Sequence, residues 1–164
     1  MLEEFMGVPL HPLLVHAPVV FVPLLALLAV GYAFVPLIRP HTRWVLGLLA
    51  IATPVAAFLT KLSGDAFLRR LQSRNQVTPE FLPRLQAHQE LGTLTVYATV
   101  ALGLLTLALV YLVAPRIAAA AAAADSSRAL SLVVRLLTLV AAGVSLYYVI
   151  RTGDSGGKAV WEGS

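Results

Sequence analysis

The chain has 164 residues, 59% of them apolar and 12% charged, with no cysteine and a formal charge of +4. That composition excludes an ordinary soluble domain, and the missing thiols exclude disulfides, thiolate metal sites, iron–sulfur clusters and haem attached through C-x-x-C-H. The basic residues are scattered at the ends of apolar runs, as membrane topology and snorkelling require, so no nucleic-acid partner is expected.

The N-terminus Met1-Leu2-Glu3-Glu4 is acidic where a signal peptide is basic. The apolar run after it is too long for a cleavable segment, so the first span is expected to stay in the mature protein. Two histidines, His11 and His16, and the prolines Pro9, Pro12 and Pro18 stand at its start. Pro18 and Pro23 each remove an intrahelical hydrogen bond and can bend the span or free carbonyls for a ligand.

About 20 apolar residues cross a bilayer as a helix. Four segments meet that requirement, at about residues 13–38, 44–62, 91–115 and 129–150. Arg39-Pro40-His41-Thr42-Arg43 reads as a short turn that makes the first two spans antiparallel neighbours. Residues 63–90 form the only long connection, with helix starts offered by Pro79 behind Thr78 and by Pro83. The third connection carries the alanine run 118–124, low-complexity filler, and then Asp125-Ser126-Ser127, a natural cap. The expected fold is all-α: a four-helix transmembrane bundle, up-down-up-down, forming a single membrane domain over residues 1–164.

Four spans place both termini and the long connection on one side of the membrane, called side A here. Side A then holds His11, His16, Ser63-Gly64-Asp65, His88 and residues 153–163, while His41 lies opposite. Raw Lys and Arg counts favour a cytoplasmic side A. The rule weights the first helix, however, and Arg39 and Arg43 directly follow span one, which favours termini on the outer side.

Ionisable residues within membrane spans mark functional sites. His11 and His16 are five positions apart, about 140° around a helix, and cannot both face one atom without a bend. His16, one turn deeper, is expected to pair with His88 across the bundle, as the two imidazoles that a b-type haem needs from different helices. Gly92, four residues after His88, would leave room for a porphyrin edge. Arg84 and Arg151, with Arg69 and Arg70, could hold propionates. Asp65 either continues the helix or accepts the second N–H of an imidazole. With His11, His16 and His88 it could instead form a zinc or copper site. The plainer readings are a helix-joining hydrogen bond for His16, a headgroup contact for His11 and ordinary solvation for the arginines. No catalytic Ser-His-Asp set, phosphate loop or zincin pattern is present, so a hydrolase or kinase is not indicated.

These residues resemble a family of bacterial predicted membrane proteins with four spans. The family opens with a pattern like H-P-x-x-V-H-x-P, here His11 to Pro18. It has G-D near the end of span two, here Gly64-Asp65, a histidine before span three, here His88, and a tail like G-G-x-L-V-Y-x-x-G, here residues 156–163. Ala17 stands where an aromatic is frequent, and Ala159 and Trp161 replace Leu and Tyr. The resemblance covers nearly the whole chain and implies a multi-pass protein of the bacterial inner membrane, similar to haem-binding or electron-transfer subunits.

The leading expectation is therefore a small, non-catalytic membrane subunit that holds haem b between His16 and His88. It would pass electrons in or beside a respiratory complex, with the lipid bilayer, a larger membrane complex or a homo-oligomer, and a quinone as candidate partners. A structural or assembly subunit without cofactor, and a His/Asp metal-binding protein, are the alternatives.

Overall fold

The computed structural model describes residues 4–5, 7–113 and 124–161. A two-residue antiparallel pair, β1 (Glu4–Phe5) with β2 (Val8–Pro9), opens the chain; Gly7 between them has φ +83°, a conformation glycine adopts without strain. Helices α1 (Leu10–Leu14), α2 (His16–Phe34), α3 (Arg39–Ser73), α4 (Leu82–Leu112) and α5 (Ala124–Trp161) follow. Among the described residues, and counting α1 with α2, four helical segments are long and apolar enough to cross a membrane.

Proline decides where the first hairpin turns. Pro36 disfavours helical geometry for the residue before it, and Val35 is accordingly extended at φ −115°, ψ 94°. A single 3-10 turn, Pro36–Ile38, leads directly into α3, which carries Pro40 in its first turn. The turn therefore lies at 35–38, earlier than the Arg39–Arg43 segment expected, because Pro40 starts a helix as readily as it ends one. Arg39 Nε and Nη2 donate to the carbonyls of Tyr32 and Ala33 at 2.8 and 2.9 Å, and its guanidinium stands 5.9 Å from the Tyr32 ring centre. It thereby satisfies the last carbonyls of α2. Arg39→Ala is expected to lower stability in detergent by about 2 kcal/mol, the scale of charge-assisted hydrogen bonds, read as a lower unfolding midpoint.

The long connection is mostly helix. Helix α3 runs on to Ser73 and α4 begins at Leu82, with Pro83 in its first turn, so the Pro83 start is used and the Thr78 start is not. Asn75, at φ +53°, ends α3 in the left-handed region, and Gln76 N–H closes onto the Leu71 carbonyl at 2.9 Å. Likewise, the glycine-rich stretch expected as a tail continues α5 to Trp161.

The helices form a ring in which α2 and α4 each pack on both α3 and α5. The core contains Leu25, Ala29, Tyr32, Leu46, Ala50, Leu102 and Leu109. The outside is apolar as well: Leu27, Val140 and Tyr111 are 69, 63 and 76% exposed. In water that surface would be prohibitive, and in lipid it is the ordinary solvent contact.

Candidate paired-histidine site

The site gathers at one end of the bundle, where α1, α3, α4 and α5 meet. Pro18 cannot bond the Leu14 carbonyl in the usual i to i−4 manner. Thr60 Oγ1 on α3 shares its one hydrogen between that freed oxygen, at 3.1 Å, and the Ala56 carbonyl, at 2.8 Å, which ties the histidine-bearing turn to α3. His11 is then seated against α3, its Nδ1 facing the Thr60 carbonyl at 3.1 Å and Ser63 Oγ at 3.2 Å. On α4, His88 Nδ1 meets Ser155 Oγ of α5 at 2.8 Å. The two imidazole rings face each other edge to face, centroids 6.1 Å apart and planes at 78°. Phe67 stacks beside His11 at 6.4 Å.

Two glycines make room for these rings. A Cβ at Gly64 would stand 2.9 Å from His11 Cε1, and one at Gly156 would stand 3.0 Å from His88 Cε1. Any larger residue would displace an imidazole held by its Nδ1 hydrogen bonds.

His16 does not join the pair. It is exposed, and its Nδ1 turns back to the Leu13 carbonyl at 3.2 Å. The expected His16–His88 pairing is therefore corrected to His11–His88. Only one of two residues 140° apart can face the bundle. His11 shares the seven-residue register of Pro18, Leu25 and Tyr32, all buried, whereas His16 does not.

Asp65 does not orient an imidazole, since that position is taken by Thr60 and Ser63. Its carboxylate accepts from Lys61 and, at 3.0 Å, from Gln89 Nε2, bridging α3 to α4. Gly92 faces open space, with nothing within 4 Å of a Cβ built there; the close approaches fall at Gly64 and Gly156 instead. Arg84, Arg69 and Arg151 are exposed around the same end. Among the described residues no group of three or more His, Cys, Asp or Glu could hold a metal. The His11–His16–Asp65–His88 cluster thus does not assemble, because His16 points outward and Asp65 is engaged by Lys61 and Gln89.

Sequence reasoning overlooked Ser63, Ser155, Thr60, Thr152 and Gly156 as site residues. The signal was present as a repeat: Thr60-Lys61-Leu62-Ser63-Gly64 and Thr152-Gly153-Asp154-Ser155-Gly156 share the form T-x-x-S-G.

Four long apolar helices with a buried polar cluster at one end define a multi-pass helical membrane protein. The chain belongs to the family described as predicted membrane protein (DUF2231), whose model matches residues 7–164. Neither a curated protein nor a solved structure matches it.

Proposed function

We propose that the protein holds a b-type haem between His11 and His88 and serves as a small electron-transfer subunit of the bacterial inner membrane. The observation that carries this reading is the pair itself: two imidazoles from different helices, each tethered through Nδ1. Such tethering is the usual outer-shell arrangement of a metal-bound histidine. The two rings lie 6.1 Å apart, centroid to centroid, at one end of the bundle. Two ligands suffice for haem, because the porphyrin supplies the other four nitrogens. Gly64 and Gly156 let the two imidazoles pack closely against α3 and α5.

When bound, haem would supply one-electron chemistry. The chain's own residues hold and orient the ligands, and Arg84 and Arg151 stand exposed at the same end as candidate propionate partners. Arg39 and Arg43, just after the first span, favour termini on the outer side. A reporter fused to the C-terminus and active only in the cytoplasm is then expected to be silent; an active fusion reverses the orientation.

The testing experiment is an absorption spectrum of the purified protein, oxidised and reduced, under conditions that retain haem. A Soret band and a reduced α-band typical of paired imidazoles are expected. Their absence overturns the haem reading and leaves the polar cluster as a helix-joining device in a structural or assembly subunit.

A further inference from the structure

The two T-x-x-S-G segments occupy equivalent places, each late in the second helix of a hairpin whose first helix begins near a histidine. In both, the serine bonds back one turn: Ser63 Oγ donates to the Thr60 carbonyl at 2.7 Å and Ser155 Oγ to the Thr152 carbonyl at 2.9 Å. In both, the threonine hydroxyl donates to the carbonyl four residues earlier, Ala56 at 2.8 Å and Tyr148 at 2.7 Å. It also reaches the histidine-bearing segment, at the Leu14 carbonyl for Thr60 and at Thr95 Oγ1, 2.8 Å away, for Thr152. The glycine then admits the imidazole.

This arrangement has a chemical consequence. A serine whose hydrogen goes to a carbonyl offers only lone pairs outward, and a carbonyl can only accept. With each serine hydrogen on its carbonyl, Nδ1 is assigned as the protonated nitrogen of each neutral ring, and Nε2 then carries the lone pair. Among the described residues, the hydrogen bonds of both rings run through Nδ1.

The structure assigns Ser63 and Ser155, within the duplicated T-x-x-S-G segments, as positioning residues that hold His11 and His88 as Nδ1–H tautomers and leave each Nε2 lone pair available to an electron-poor centre. That the centre is haem iron rests on the reading above; the tautomers do not. The protein is built from two helical hairpins that each supply one half of the site, a histidine and its cradle.

The test uses full-length, haem-free protein labelled with 15N-histidine, at alkaline pH where the imidazoles are neutral. Nitrogen chemical shifts are expected to report Nδ1–H at His11 and at His88, each signal assigned by its loss in His11→Gln or His88→Gln. Nε2–H at either position overturns the assignment even if the protein binds haem. In the haem-loaded protein, Ser155→Ala is expected to weaken retention of haem about tenfold or more, the usual scale for an outer-shell partner. Ser155→Thr, which keeps the hydroxyl, should restore it. Unchanged retention in Ser155→Ala removes the positioning role. If Ser155→Ala does not fold, the wild-type tautomers alone decide. A protein with Nδ1–H tautomers and no Soret band keeps this inference and discards haem.

Discussion

His11→Ala and His88→Ala are each expected to abolish the paired-imidazole spectrum, and His16→Ala to leave it intact. The three histidines look alike in the sequence, all at the side-A ends of spans. Their surroundings differ: His11 and His88 face each other at 6.1 Å with Nδ1 anchored to α3 and α5, while His16 is exposed and bonded to its own helix. Removing an iron ligand costs more than removing its outer-shell partner, so loss of affinity beyond about a hundredfold is expected for the first two variants. No measurable change is expected for the third. Titration of each purified variant with haem, followed at the Soret band, makes the comparison. Loss of binding in His16→Ala with retention in His11→Ala would reverse the assignment of the pair.

Gly103→Ala is expected to destabilise the bundle, and Gly103→Leu to prevent its assembly. Pro54 lacks the N–H that would bond the Ala50 carbonyl, and α4 presents Gly103 to that carbonyl. A Cβ at Gly103 would clash with the Ala50 oxygen, with Pro54 Cγ at 3.5 Å. Alanine favours a helix by about 1 kcal/mol over glycine. Overpacking against backbone, which cannot rotate away, costs about 1–3 kcal/mol or more. The clash therefore prevails, and a net loss of about 1–2 kcal/mol is expected for Gly103→Ala in detergent unfolding. Gly143→Ala, where a Cβ meets nothing within 4 Å, is the control and should be neutral or slightly stabilising. Equal stability of the Gly103 and Gly143 variants would show that α3 and α4 do not approach so closely.

Prolines carry much of the connection between sequence and packing. Pro18 was legible as a remover of a hydrogen bond, and Pro54 acts the same way within α3. What the freed carbonyls do was not legible: one receives Thr60 and the other faces Gly103. Pro40, expected within a turn, instead lies in the first turn of α3, and of the two helix starts offered at Pro79 and Pro83 the second is used.

The number and order of spans, and the gathering of His11, Gly64, Asp65 and His88 near one end, follow from the sequence because twenty apolar residues must cross a bilayer and helices joined in series must alternate. Which histidine turns inward does not follow. A soluble helix betrays its buried face by polarity, whereas a helix bathed in lipid is apolar all round and carries almost no such signal. The inward stripe of α2, with its small residues Ala26, Ala29 and Ala33, is set by close packing against α3 and α5. That packing selects His11 over His16, brings the two T-x-x-S-G segments to the imidazoles and decides which nitrogen of each ring carries the proton.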